Sequence, residues 1–237
     1  MNDTLSVVIP VYNEAEIIGE VLKKWSALFQ ELRIDYRIHV YNDGSSDNTR
    51  AIVTAISRKD PLIVVHDKPN SGHGATILQG YRENADSDWI FQIDSDDEMD
   101  RGGFVNLWHN RNGYDFLIGY RQSRKSSWIR KIMTLISRWE IRFFFGSGIR
   151  DVNSPYRLFR PQAILPELAR IKKDTFAPNC IISGIVVKKK LRIYQCPVKH
   201  RNRRTGKVSI RSLKLVKAAL LSFWQIIHYS LRVKYDR

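Results

Sequence analysis

Apolar and polar positions alternate along the first half of the chain in two rhythms. Leu5-Ser6-Val7-Val8-Ile9-Pro10 is a β-branched run closed by a proline, the pattern of a buried strand. After Val11-Tyr12-Asn13-Glu14, the residues Ile17, Ile18, Val21, Leu22, Trp25, Leu28 and Phe29 fall at helical spacing, which predicts a helix to about Leu32 with one core-facing stripe. Tyr36 to Asn42 reads as a second strand. It runs into Asp43-Gly44-Ser45-Ser46-Asp47-Asn48, a turn cluster leading to a helix capped by Ser46 or Asp47. Pro61 to His66 gives a third strand, Gly72-His73-Gly74-Ala75 precedes a helix over Ile77 to Asn84, and Trp89 to Ile93 is a fourth strand. Repeated β-α units of this length predict an α/β fold, a largely parallel sheet with helices on both faces.

The fourth strand ends in chemistry. Trp89-Ile90-Phe91-Gln92-Ile93 stops at Asp94, Asp96, Asp97 and Glu98, with Ser95 between the first two. In an open α/β sheet the C-terminal edge of the strands is where ligands bind. Carboxylates this close repel and raise one another's pKa unless a cation sits among them. Hard oxygen donors on a short loop suit Mg²⁺ or Mn²⁺, whose remaining ligands come from water and substrate phosphates. Asp43 and the Pro10 to Glu14 loop are expected at the same edge. A lone Asp-Gly is more often an ordinary turn, but three polar strand ends on one edge weaken that account. Gly72-x-Gly74 lacks the third glycine of a dinucleotide fingerprint, and no Walker A sequence occurs.

The charge is divided. Residues 1–118 hold 11 Lys and Arg against 19 Asp and Glu, and residues 119–237 hold 28 against 5, within a net charge of +15. The basic half points to an anionic partner: nucleic acid, lipid head groups or a phosphorylated substrate. A nucleic-acid-binding protein would account for the pI of 9.9, yet it leaves the acidic strand ends without a role. With 43% hydrophobic residues the chain can build one large core. Cys180 and Cys196 read as core thiols in a reducing compartment. Met1-Asn2-Asp3-Thr4 has no basic leader, so no signal peptide is expected.

Val8-Ile9-Pro10-Val11-Tyr12-Asn13-Glu14, Asn42-Asp43-Gly44-Ser45-x-Asp47, Gly72-x-Gly74 and Asp94-x-Asp96 together resemble the family 2 glycosyltransferases of GT-A fold. Among these the chain is most similar to the polyprenyl-phosphate type, exemplified by dolichyl-phosphate mannose synthases, over about residues 5–209. That resemblance implies inverting transfer of a sugar from a UDP- or GDP-linked donor to a polyprenyl or dolichyl phosphate. It implies that Pro10, Tyr12, Glu14 and Asp43 hold the base and ribose, with Asp94, Ser95 and Asp96 at the diphosphate. Mg²⁺ or Mn²⁺ would be held by Asp94, Asp96 and Glu98, the last standing where the family often has Gln. Arg150-Asp151-Val152-Asn153-Ser154-Pro155-Tyr156-Arg157 is similar to the acceptor-phosphate stretch, with Asn153 in place of Thr and Pro155 in place of Gly. Arg121, Arg150 and Ser154 are then the expected phosphate contacts, and Arg203, with Arg204 as a substitute, the arginine beside the diphosphate. The implied catalytic set is Asp96, Arg121, Arg150 and Arg203.

The acceptor class follows from acids. A hydroxyl acceptor, on a glycan or glycolipid, needs a general base. Beyond Val152 the acids are Glu167, Asp174 and Asp236, and Asp151 is better placed to orient arginines. A phosphate monoester, mostly ionised at neutral pH with a second pKa of about 6, needs no base.

Trp128, Ile132, Leu135, Ile136, Trp139 and Phe143 have helical spacing with Arg130, Lys131, Arg138 and Arg142 between them, as in a helix lying in a lipid interface. Ala218 to Leu231 has no Lys, Arg, Asp or Glu but is shorter than the roughly 20 residues that span a bilayer. The expectation is a catalytic domain over 1–209, with an interface helix region at 125–148, and a C-terminal helical appendage over 210–237. Such a protein would sit peripherally on the cytoplasmic face of a membrane without a transmembrane helix, alone, as a homo-oligomer or beside a separate membrane protein, and without nucleic acid.

Overall fold

The computed structural model describes residues 3–122, 139–200 and 223–231. Seven strands form one sheet: β1 (Thr4–Val11), β2 (Asp35–Asp43), β3 (Ile63–Lys68), β4 (Trp89–Gln92), β5 (Phe116–Gln122), β6 (Arg157–Phe159) and β7 (Ile193–Lys199), in the order β3-β2-β1-β4-β6-β5-β7. β3, β2, β1 and β4 pair in parallel, as do β5 and β7, whereas β6 runs antiparallel to both β4 and β5. The C-terminal ends of all strands except β6 therefore share one edge, and β6 begins at that edge.

Both faces of the sheet are covered. Val7, Ile9, Val11, Ile38, Val40, Trp89 and Phe91 pack under α1 (Ile18–Glu31), α2 (Thr49–Ser57) and α4 (Gly102–Asn110) in one core cluster. The alternate residues Val8, Tyr41, Ile90 and Ile118 meet α3 (His73–Glu83), α5 (Leu165–Arg170) and α6 (Pro178–Lys188) in a second. This explains why the central strands read as unbroken apolar runs. The strands and helices expected between residues 5 and 93 are all present, in a mixed α/β fold.

The third strand runs Ile63–Lys68, two residues later than Pro61 to His66, and two helix starts also differ. The third helix begins at His73 and not at Ile77, because Gly72 adopts φ +88° and the two residues after it already turn helically. Helix α2 begins after Asn48, which makes no side-chain cap, and the Asp47 carboxylate accepts from the Thr49 amide at 2.9 Å in the turn that leads into it.

Of the expected interface helix, residues 123–138 lie outside the described residues; 139–144 are helical, with Ile141 and Phe145 buried against α6. The helix near the C-terminal side of the described residues is docked on the core. In the helix over residues 223–231, Ile226 and Tyr229 are buried, Tyr229 accepts from the Lys172 amide at 2.6 Å, and Gln225 accepts from the Phe176 amide at 3.1 Å. Among the described residues no helix is long and apolar enough to cross a membrane.

Helix α3 lies close on β1 and β2 because residue 80 has no side chain: a Cβ there would sit 2.5 Å from Val8 Cγ1 and 3.0 Å from Tyr41 Cε2. Gly80→Ala gains about 1 kcal/mol of helix propensity and loses about 1–3 kcal/mol to overpacking against fully buried neighbours. A net loss in urea denaturation is expected. Gly113→Ala, where a Cβ meets nothing within 4 Å, stays within about 0.5 kcal/mol of the native protein.

Candidate active site

At the carboxyl edge the loops after β1 and β2 are stitched together. Asn13, with φ +54°, accepts on its side-chain oxygen from the Ser46 amide at 2.8 Å, the Asn13 amide donates to Ser45 Oγ at 3.0 Å, and the Glu14 amide donates to Thr49 Oγ1 at 2.9 Å. The loops after β1 and β2 are thereby one rigid unit. Pro10 is buried at the end of β1, Glu14 is buried beyond it, and Tyr12 stands 44% exposed on the rim.

Asp43 is less available than its motif implies. Register places it opposite Lys68, and the buried carboxylate pairs with the Lys68 ammonium and accepts from the amides of Ser71 at 2.8 Å and Gly72 at 2.9 Å. Burial alone would raise its pKa, but Lys68 and the Ser71 amide hold it below the ordinary carboxylate value. Asp43 thus clamps the loop that leads into α3. That helix then closes down where Gly74 passes the chain at 175–176: a Cβ there would lie 2.4 Å from the Thr175 carbonyl oxygen.

Asp94 and Asp96 follow β4, as expected. Asp94 Oδ1 accepts from Gln92 Nε2 at 3.3 Å and lies 3.6 Å from His73 Nε2, and Asp96 Oδ1 accepts from the Glu98 amide at 3.1 Å. Both aspartates are partly exposed, while Ser95 between them is buried. Two hard carboxylates on one loop fit a Mg²⁺ or Mn²⁺ ion that takes its other ligands from a diphosphate and water. The three-carboxylate set does not form. Glu98 turns to His200 Nε2 at 2.9 Å, and no cluster of three metal-binding side chains exists among the described residues. Asp97, at φ +53°, faces Lys24 at 3.0 Å and Arg101 at 3.5 Å.

Across the same edge, Arg121 at the end of β5 donates from Nε and Nη2 to the two oxygens of Asp151 at 2.7 and 2.9 Å. Burial acts to lower the Arg121 pKa, but Asp151, with help from Asp94 and Glu98, raises it. Arg150 stays exposed, donating to Tyr120 Oη at 3.1 Å with its guanidinium 5.0 Å from that ring's centre. Ser154 is not an anion contact. It is fully buried, its hydroxyl donates to the Gly119 carbonyl at 2.5 Å and accepts from the Tyr156 amide at 3.2 Å, so both capacities serve the turn. Arg203 and Arg204 lie outside the described residues.

The family 2 glycosyltransferase model, described as "Glycosyl transferase family 2", matches residues 6–167. The chain belongs to that family. As a family 2 glycosyltransferase it is 29% identical over 221 residues to an undecaprenyl-phosphate 4-deoxy-4-formamido-L-arabinose transferase of Sodalis glossinidius (strain morsitans), covering 90% of this chain and 65% of that one. The chain thus spans about two thirds of the length of this curated relative, just under that mark. Its fold is that of the mannosyl-3-phosphoglycerate synthase of Rubrobacter xylanophilus, with TM-score 0.71 and 14% identity over 94% of this chain and 73% of that one. The glucosyl-3-phosphoglycerate synthase of Mycobacterium tuberculosis, crystallised with Mn²⁺ and UDP-glucose, gives a TM-score of 0.66 at 16% identity over 96% of this chain and 79% of that one.

Sequence reasoning missed several residues of this glycosyltransferase site. Lys68 was an unremarked strand end whose partner appears only in the register of β2 and β3. Gln92, Tyr81 and Asn179 form a buried polar group beneath Asp94. Gln92 had left a signal, a lone amide inside an otherwise apolar strand.

The Asp43–Lys68 clamp sets an acid limit. Asp43 contributes stability above its unfolded pKa of about 3.9, and loses it as pH falls through the lower folded value. Urea midpoints of the native protein should fall more steeply below about pH 4 than those of Asp43→Asn. Lys68→Met, which strands the buried carboxylate, should cost about 3–5 kcal/mol at neutral pH.

Proposed function

We propose that this glycosyltransferase moves a sugar from a nucleotide diphosphate donor to a polyprenyl phosphate, with inversion and with a divalent ion at Asp94 and Asp96. The observation that carries the reading is the Arg121–Asp151 pair. The carboxylate at the acceptor end spends both oxygens on Arg121, so it serves as an arginine-orienting group and not as the base a hydroxyl acceptor requires. A phosphate acceptor brings its own negative oxygen. The 29% identical undecaprenyl-phosphate transferase supports the same acceptor class.

In the reaction the anomeric carbon gains positive charge while negative charge grows on the departing diphosphate. A bound divalent ion would neutralise part of that growing charge. Pro10, Tyr12 and Glu14 border the nucleoside end, and the Asp43–Lys68 clamp holds the loop that completes it. Arg150, exposed and steadied by Tyr120, attracts the acceptor phosphate, with Arg121 fixed beside it by Asp151. Arg203, outside the described residues, is the arginine that the resemblance assigns to the diphosphate. Preset charges of this kind favour the transition state over the ground state, because they need no reorganisation as the charge develops.

The protein would meet its lipid as a peripheral enzyme at the cytoplasmic face of a membrane. Four exposed apolar side chains support this: Trp139 at 66%, Phe143 at 82%, Trp224 at 67% and Leu231 at 82%. The first two lie four residues apart on the helix over 139–144 and the other two seven apart on the helix over 223–231, so each pair shares a helix face. The Phe144 and Phe223 rings, 6.4 Å apart, bring the helices side by side. The interface helix region and the catalytic domain up to residue 209 belong to the same reading.

Radiolabelled sugar from a panel of UDP- and GDP-sugars, offered with undecaprenyl or dolichyl phosphate, should enter the organic phase with Mg²⁺ or Mn²⁺ and stay out with EDTA or in Asp96→Ala. Donor hydrolysis without labelled lipid would overturn the acceptor assignment and favour a hydroxyl acceptor. In flotation with anionic vesicles, Trp139→Ser/Phe143→Ser should weaken binding at least about tenfold, since burying one large apolar side chain is worth about 1.5–3 kcal/mol. Unchanged flotation would remove this face from the membrane.

A further inference from the structure

A glutamine inside a fully buried strand needs a reason. Gln92 has no exposed surface and is two residues from Asp94, so period-two alternation aims both toward α3 and α6. Its carbonyl oxygen accepts from Tyr81 Oη at 2.7 Å and from Asn179 Nδ2 at 2.9 Å, and its amide nitrogen donates to Asp94 Oδ1 at 3.3 Å. Tyr81 Oη is also 3.2 Å from Asn179 Oδ1, which closes a ring of three side chains contributed by α3, β4 and α6. Burial pushes the Tyr81 phenol well above its ordinary pKa, so it remains a donor.

This ring settles which way the amide faces. With Tyr81 and Asn179 both presenting hydrogens, the oxygen of Gln92 must turn to them and its NH₂ to Asp94. The reverse orientation would set a carbonyl oxygen against a carboxylate. Among the described residues the other side chain beside the Asp94 carboxylate is an exposed histidine, His73 at 3.6 Å. Asn179 is anchored in turn, its own carbonyl accepting from Arg157 Nη1 at 3.1 Å. The geometry assigns Gln92, oriented by Tyr81 and Asn179, as a positioning residue that fixes the Asp94 carboxylate in the rotamer that receives the divalent ion and the donor diphosphate. The assignment rests on the reading of Asp94 and Asp96 as the metal pair. Partners one shell out from a metal are worth about 10–100-fold in metal affinity.

Binding of Mn²⁺ in the presence of UDP or GDP, read from loss of the free-ion electron paramagnetic resonance signal, tests this without turnover. Gln92→Met keeps the volume, removes the donor to Asp94 and leaves Tyr81 and Asn179 able to bond each other. It should weaken Mn²⁺ at least about tenfold, and Tyr81→Phe, which frees the amide to turn, should weaken it by a smaller factor. Both measurements are paired with a thermal melt. Affinity within twofold of native in a folded Gln92→Met protein overturns the assignment. If Gln92→Met does not fold, unchanged affinity in Tyr81→Phe overturns it instead. A native protein that binds no Mn²⁺ with either nucleotide overturns the metal reading itself, and the positioning role with it.

Discussion

A guanidinium removed from water must be hydrogen-bonded on every side or it will not stay buried, and much of this structure is arranged around one that is. Arg157 has no exposed surface, and it donates to the backbone carbonyls of Val152, Ser154 and Asn179 at 2.7–3.4 Å. Burial pulls its pKa below the ordinary guanidinium value, while Tyr81, Asp151 and Asp94 among others act to raise it. Those carbonyls belong to the turn before β6 and to the first residues of α6. The register of β6 sets Arg157 opposite both Gln92 and Ile118. One residue, by its backbone pairing and its guanidinium, therefore ties the strand that ends at the acidic loop, the turn that carries Arg150 and Asp151, and the helix that supplies Asn179.

The acidic and basic halves of the sequence meet at this seam. Asp94 and Asp96 come from the chain segment with excess acid, Arg121, Arg150 and Asp151 from the segment with excess base. Each half has spent some of its charge internally: Asp97 on Lys24 and Arg101, Glu98 on His200, Asp151 on Arg121. At the strand end Asp94 and Asp96 are partly exposed, and Arg150 is exposed. The net charge reports little about this selection, since it depends on which partners the fold brings within reach.

That also marks what was legible in the sequence. Strands β1 to β4 and the helices between them follow from local periodicity, because a strand buried on both faces must be apolar throughout and a helix on one face must not. The placement of Asp94 and Asp96 at a strand end was legible for the same reason. Helix α3 begins earlier than its pattern because Gly-His-Gly-Ala reads as a loop unless the carbonyls at 175–176 that require Gly74 are known. Ser154 and Glu98 carry the right chemistry for a phosphate or a metal, but Gly119 and His200, more than thirty and one hundred residues away along the chain, claim them first. β6 was illegible because it is three residues long and opens with an arginine.

That short strand has a consequence for how the molecule is made. β5 ends at Gln122 and β6 starts at Arg157, yet β6 lies between β4 and β5, so the sheet cannot simply grow by adding each new strand to the last. During synthesis β1 to β4 can pair in order of emergence, while β5 has no adjoining edge to dock on until the chain has doubled back to insert β6. The loops after β1, β2 and β4 thus precede Arg121 and Arg150 in assembly, and a nascent chain carries half of this edge until its closing strand slides into the gap.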